Sequence, residues 1–242
     1  KAPFYEPGLQ ELLEKTINGG ALELTSSARE AVERSFISFI TVGTPGRPDG
    51  SVDLSQVEGA CRDIGEALAE KGSWHLVVVR STVPPGTTEG IVKELLEVSS
   101  GKECGPGFGL CVNPEFLSEG AAIRGIEEPD RIIIGEHDER SGDALQAFYE
   151  SFHGEGLARE RILRTSPINA ELIKYASNAF LAMKVSFANM IARLCQVLPG
   201  ADVVAVMDGI GLDRRIGRAF LNAGLGWGGA CFPKDLSALL RF

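Results

Sequence analysis

The sequence is poor in the residues that build metal and disulfide sites. Its 242 residues contain only five cysteines and three histidines. No CxxC pair occurs, and Cys61, Cys104, Cys111, Cys195 and Cys231 are scattered and odd in number. Neither a zinc site nor a disulfide framework is therefore expected, and a reduced, cytoplasmic setting is. His75, His137 and His153 lie far apart, so no metal is expected either. Positive charge is scarce: 24 Lys and Arg stand against 33 Asp and Glu, for a net charge of −9. Non-specific nucleic-acid binding depends on cations that neutralise phosphates, so a nucleic-acid partner is not expected. One small anionic ligand needs only a local cationic pocket and stays possible. No run reaches the ~18 apolar residues of a membrane span, and no membrane partner is expected. The start, Lys1-Ala2-Pro3-Phe4-Tyr5-Glu6-Pro7, has no initiator Met and no signal-peptide character. The chain is expected to begin inside a longer protein. A glycine fingerprint for dinucleotides is missing as well. Gly105-Pro106-Gly107-Phe108-Gly109 precedes a strand, whereas the fingerprint must follow a strand and open a helix.

What is present is a globular composition, 44% apolar and 24% charged, ample for a buried core. The first two thirds alternate helical and strand-like segments. Leu9, Leu12, Leu13 and Ile17 recur at helical spacing before Gly19-Gly20, and Ser26-Ser27 caps a short helix through Arg34. Phe36 to Val42 reads as a buried strand, and Thr44 to Gly50 as a loop. A helix spans about Leu54 to Glu70. His75-Leu76-Val77-Val78-Val79 is the strongest strand, apolar throughout as a parallel strand covered on both faces should be. A helix from Thr87 to Val98, strands at Leu110 to Val112 and Arg131 to Gly135, and a helix from Ser141 to Phe152 follow. This alternation predicts an α/β domain, a doubly wound, mostly parallel sheet over residues 1–165. Ligands then sit beyond the carboxyl ends of the strands, where Thr44-Pro45, Ser81-Thr82-Val83-Pro84 and Asn113-Pro114-Glu115 fall. From Ser166 the pattern turns all-helical. Asn169 to Val197 has neither Gly nor Pro, and predicts one helix of roughly 45 Å at 1.5 Å per residue. Residues 166–242 are read as a second, helical domain ending in a glycine-rich loop.

Four groups of residues are candidates for chemistry. Cys231 follows Gly228-Gly229 and precedes Pro233-Lys234-Asp235. A helix opened by Pro233 would set Cys231 at its positive end, and Lys234 adds a cation. Both favour a thiolate nucleophile. The other four cysteines read as small buried apolar residues. Lys174 and Asn178 lie four apart on the long helix and share a face, either as a pocket wall or as a solvated stripe. Glu115 and Glu119 after a strand end suit general acid/base work, or simply a helix start. Arg214, Arg215 and Arg218 form the one basic patch, suited to a phosphate or carboxylate or to solvent.

Together the segments resemble the UDP-glucose/GDP-mannose dehydrogenase family. The resemblance rests on Phe4 to Leu9, Ser81-Thr82-Val83-Pro84-Pro85-Gly86-Thr87-Thr88, Asn113 to Gly120 and Gly228 to Asp235, in order, across essentially the whole chain. Arg215-Ile216-Gly217 and Phe220 to Gly224 look most like its UDP-glucose branch. Ala230 and Trp227 depart from the residues usual there. The resemblance implies a partial Rossmann-like domain followed by a long-helix dimerisation domain, with NAD as cofactor. It implies a four-electron oxidation of a nucleotide-sugar C6 alcohol to the carboxylate, through a thiohemiacetal and a thioester on Cys231. Lys174 would stabilise the oxyanion, Asn178 and Asp235 would order a water, and Glu115 would be the base for hydrolysis. Thr82 would be catalytic too, and Thr44, Thr82, Glu119 and Lys234 would meet the cofactor. Glu115, Phe116, Leu117, Glu119, Lys174, Asn178, Phe220, Leu221, Asn222, Ala223, Gly224 and Gly228 would contact the substrate. Arg215 would reach the substrate of a neighbouring subunit in a homodimer built on the long helix.

The family also carries an N-terminal βαβ unit with the glycine fingerprint and a C-terminal nucleotide-holding domain, neither of which lies between Lys1 and Phe242. A fragment, inactive by itself, is therefore expected. GDP-mannose or an N-acetylated UDP-sugar is the alternative substrate, and a non-catalytic dimerising remnant is the alternative from another class.

Overall fold

The computed structural model describes residues 2–154 and 159–241. The chain forms two compact units, one of residues 1–44 and 53–174 and the other of residues 45–52 and 175–242.

The first unit is α/β. Helix α1 (Leu9–Asn18) and helix α2 (Ala28–Arg34) precede strand β1 (Ile37–Ile40). The Ser27 hydroxyl accepts the Glu30 N–H and caps α2, as its place before the helix predicts. Then come α3 (Ser55–Glu70), β2 (Leu76–Val79), α4 (Lys93–Ser100), β3 (Gly109–Val112), α5 (Ala122–Glu127), β4 (Ile132–Glu136), α6 (Glu139–His153) and β5 (Ile162–Thr165). The strands lie in the order β1-β2-β3-β4-β5, with β1 at one edge. Pairing is parallel except between β3 and β4, where Cys111 faces Glu136 and Val112 faces Gly135 in antiparallel register. The sheet is thus mixed. Val77, Val79, Leu110 and Val112 pack on one face with Val57, Ile64 and Leu68 of α3 and Leu96 of α4. Leu76, Val78, Cys111, Ile132 and Ile134 pack on the other with Leu145 of α6. Every residue of β2 is fully buried, which is why its apolar run is unbroken.

Two elements differ from the sequence reading. The helix expected from Thr87 to Val98 is broken. A π-turn at Thr88–Val92 contains Gly90 with non-helical backbone angles (φ −92°, ψ −105°), and the regular helix starts only at Lys93. Strand β5 lacked an apolar signal because Arg164 interrupts it, pairing at 2.7 Å with Glu136 and at 2.5 Å with Asp143.

His75 shows what burial costs this unit. It is 0% exposed, with its ring nitrogens 2.8 Å from Ser38 Oγ and 3.2 Å from the Ser35 carbonyl oxygen. Burial, aided by the charge of Lys71, lowers its pKa from 6.5 to about 4. The unfolded chain takes up a proton as pH falls through 6.5, and the folded chain resists until about 4. Stability is therefore full above pH 6.5 and is lost across that window, by roughly 3 kcal/mol. Urea titrations at pH 7 and pH 4.5 should show the loss in the native chain and a flatter response in His75→Gln. Equal responses in both would remove His75 as the cause.

The second unit holds the rest of the long helix. Helix α7 (Pro167–Val197) begins in the first unit and continues into this one. By length and composition alone α7 is long and apolar enough to cross a membrane, although the sequence holds no unbroken apolar run of that length. Helices α8 (Val203–Gly211) and α9 (Phe232–Leu239) follow. Ala188 of α7, Met207 of α8 and Leu221 form the small core here. Phe180, Met183, Met190 and Leu194 of α7 are exposed.

Candidate active site

In the first unit, the loops after the parallel strands are tied together by hydroxyls and amides. Ser81 Oγ donates to the carbonyl of Val42 at 2.6 Å, and Thr44 Oγ1 donates to that of Thr82 at 2.9 Å. The strand ends carrying Thr44 and Thr82 are thereby held side by side. After β3, the buried Asn113 accepts from Arg80 and from the Tyr149 hydroxyl, both at 2.5 Å, and donates to the Ile133 carbonyl at 2.8 Å. This network fixes the start of the Asn113-Pro114-Glu115-Phe116 segment. The Glu115 carboxylate accepts the Leu117 N–H at 2.7 Å, which turns the segment tightly. A cleft of about 910 Å³ opens here, lined by Thr41, Arg80, Asn113, Glu115, Phe116 and Tyr149 among others.

Lys174 joins this segment to α7. Its ammonium donates to the Glu115 carbonyl at 2.6 Å and to Glu115 Oε1 at 3.0 Å, and lies 5.4 Å from the centroid of the Phe116 ring. It is 5% exposed. An ammonium has three donors, so one remains without a protein acceptor among the described residues. A buried cation with a donor to spare can meet a developing oxyanion. The solvated-stripe alternative for Lys174 therefore fails. Glu119 is exposed, and the amides beside it at Gly120 and Ala122 are held by Glu6.

In the second unit, Cys231 is the N-cap of α9, with proline in the first turn as the sequence predicts. Cys231 is exposed, whereas Cys61, Cys104 and Cys111 are buried and Cys195 is half-buried. Burial pushes the thiols of Cys61 and Cys104 up to about 12 and that of Cys111 higher still. These three are not nucleophiles at neutral pH. Asp235 is 1% exposed and accepts from Asn178 Nδ2 at 2.6 Å and from Lys234 Nζ at 2.6 Å. Lys234 thus has its charge on Asp235, where the sequence suggested a cation serving Cys231.

The remaining substrate candidates are mixed. Leu221 is core, while Asn222, Gly224 and Gly228 are exposed. The Gly224 N–H is taken by Asn189 Oδ1 at 2.8 Å. Phe220 has φ +63°, which is rare for an aromatic residue. Arg215 is exposed and makes a two-pronged bond to Asp213, at 2.6 Å for the shorter prong, and Arg218 pairs with Asp208 at 2.5 Å. Two members of the supposed basic patch are therefore neutralised within the chain.

A dinucleotide can be set against these residues. The loops beyond the carboxyl ends of β1 and β2 carry the hydroxyls of Thr44 and Thr82, which suit its polar groups. At the starts of the two helical segments that follow, carboxylates already hold one or two of the amides that a pyrophosphate would need. Asp53 accepts from Ser55 N at 2.9 Å, and Glu171 accepts from Gly86 N at 2.5 Å and Thr88 N at 2.8 Å. Sequence reasoning missed Glu171. An acidic residue in the first turn of a helix is ordinary, and nothing in the sequence ties it to a turn 85 residues away.

Comparison with known proteins covers nearly all of the chain. Residues 1–153 match the NAD binding domain of the UDP-glucose/GDP-mannose dehydrogenase family, and residues 168–242 match its central domain. The UDP-glucose 6-dehydrogenase AglM of Haloferax volcanii is 43% identical over 99% of this chain and 55% of its own length. A GDP-mannose 6-dehydrogenase of Pseudomonas savastanoi is 42% identical over 99% of this chain and 53% of its own. Among solved structures, a UDP-glucose dehydrogenase from Pyrobaculum islandicum superposes with a TM-score of 0.90 at 47% identity, covering all of this chain and 54% of that one. The chain spans about half the length of the relatives it matches.

Proposed function

The chain belongs to the UDP-glucose/GDP-mannose dehydrogenase family, and from that premise we propose that the protein containing it oxidises the C6 alcohol of a nucleotide sugar, UDP-glucose, to the carboxylate. The observation that carries this reading is Cys231, an exposed thiol at the start of α9 in a chain whose other cysteines are wholly or partly buried. NAD, when bound, supplies the hydride acceptor for both oxidations.

The chain's own residues then have separable tasks. The Cys231 sulfur adds to the C6 aldehyde, and the aldehyde oxygen becomes the hydroxyl of a thiohemiacetal. That adduct retains the aldehyde and presents C6 for a second loss of hydride, which leaves a thioester. Lys174 meets the negative oxygen that develops at C6. Water, ordered by Asn178 and Asp235, opens the thioester with Glu115 taking its proton. The products are the carboxylate and the restored thiol. Glu115 is suited to this because its position is fixed through both its carbonyl and its carboxylate. Thr44 and Thr82, held together beyond the ends of β1 and β2, would meet the cofactor.

The exposed apolar side chains of α7 support a homodimer, since a second copy would cover them. Arg215 would act across that interface after leaving Asp213. The choice of UDP-glucose over GDP-mannose rests on the Arg215-Ile216-Gly217 and Phe220 to Gly224 segments. The whole protein, given UDP-glucose, should release two NADH for each uronate formed, measured by absorbance and by chromatography of the sugar nucleotide. One NADH with an aldehyde product would sink the four-electron reading. The same stoichiometry with GDP-mannose alone would replace the substrate but retain the reaction.

A further inference from the structure

Glu171 belongs to none of the steps above, yet it is among the most completely buried side chains in the chain, at 2% exposed. A buried carboxylate is costly unless it is bonded. This one spends both oxygens on main-chain amides of one turn: Oε2 on Gly86 N at 2.5 Å and Oε1 on Thr88 N at 2.8 Å. The turn is the end of the Ser81-to-Thr88 loop. Its other end is fixed by Ser81 on the Val42 carbonyl and by Thr44 on the Thr82 carbonyl. Within it, Thr87 Oγ1 donates to the Pro84 carbonyl at 2.6 Å, and Gly86 has φ +90°. On α7, Glu171 stands three residues before Lys174, which holds Glu115. One turn of one helix thus grips two loops: Glu171 the loop of Thr82, and Lys174 the loop of Glu115.

We infer that Glu171 is a positioning residue that sets the Thr82 loop in register with Lys174 and Glu115. The carboxylate takes the place that an external anion would take at a helix start. Burial raises the Glu171 carboxyl above its usual range, opposed by the hydrogen bonds from Thr88 and Gly86. This role rests on the dehydrogenase reading of the site.

The test uses Glu171→Gln and Glu171→Asp in the whole protein. Glutamine keeps the size but turns an NH2 donor toward an N–H, so one grip is lost. Amide hydrogen exchange at Gly86 and Thr88 should accelerate in Glu171→Gln. Turnover should fall about 10- to 100-fold, with the KM for the sugar nucleotide unchanged. The deuterium isotope effect from C6-deuterated substrate should rise as hydride loss becomes limiting. Glu171→Asp should recover part of the turnover. A lower melting temperature with unchanged turnover and isotope effect would leave Glu171 a purely structural residue. Unchanged exchange at the two amides would overturn the grip itself. The dehydrogenase reading is judged separately, by the native protein's two NADH per uronate.

Discussion

Replacing Cys231 by alanine is expected to abolish uronate formation in the whole protein, by at least about 10³-fold, because the proposed reaction needs its sulfur to carry the acyl group. Cys231→Ser should also fail to make uronate, stopping at the aldehyde or trapping an ester, since a hydroxyl at neutral pH is a far weaker nucleophile than a thiolate. The control is Cys195→Ala. Cys195 is half-buried on α7, and its loss should leave turnover within a fewfold of normal. Mass spectrometry of the protein after brief exposure to substrate and NAD should find an adduct on the Cys231 peptide. Normal turnover in Cys231→Ala, together with loss in Cys195→Ala, would move the nucleophile to α7.

The second large effect is expected at Lys174. Methionine there retains most of the side chain's length and removes its charge. Turnover should fall roughly 10²- to 10³-fold, the range for losing an oxyanion donor from a water-poor site. Stability should fall as well, by about 1–3 kcal/mol, because the Glu115 carbonyl loses its donor. The two effects separate on Lys174→Arg, which keeps the charge and a donor for Glu115. That variant should retain most of the stability but little turnover, since a planar guanidinium cannot place its donors as an ammonium does. A Lys174→Met enzyme with normal turnover would exclude Lys174 from the chemistry.

Much of the α/β unit was legible because its core is built of uninterrupted apolar strands. The run at residues 76–79 and the fully buried β2 are one fact seen twice. The long helix was legible for a similar reason, since no Gly or Pro divides it. What escaped was set by single long-range contacts. Strand β5 depends on Arg164 finding Glu136 and Asp143. The reversal between β3 and β4 depends on the path taken through α5, a helix of six residues with no buried side chain. The break at Gly90 was written in the sequence as a glycine, but one glycine in a helical pattern is commonly tolerated. In the site, residue types and local spacing singled out Cys231 and left Lys174 open between a pocket wall and a solvated stripe; the roles of Lys174 and Asp235 came from the family resemblance alone. Their partners could not be read: Lys234 turns to Asp235 and Arg215 to Asp213, leaving less net cation than the sequence suggested. Glu171 was invisible for the same reason.

The uneven burial of the five cysteines bears on how the protein can be labelled. Cys61, Cys104 and Cys111 are buried and Cys195 is half-buried, while Cys231 is exposed. A thiol reagent in solution reaches an exposed sulfur before a buried one. A single equivalent of an alkylating dye should therefore mark the start of α9 and leave the α/β unit untouched.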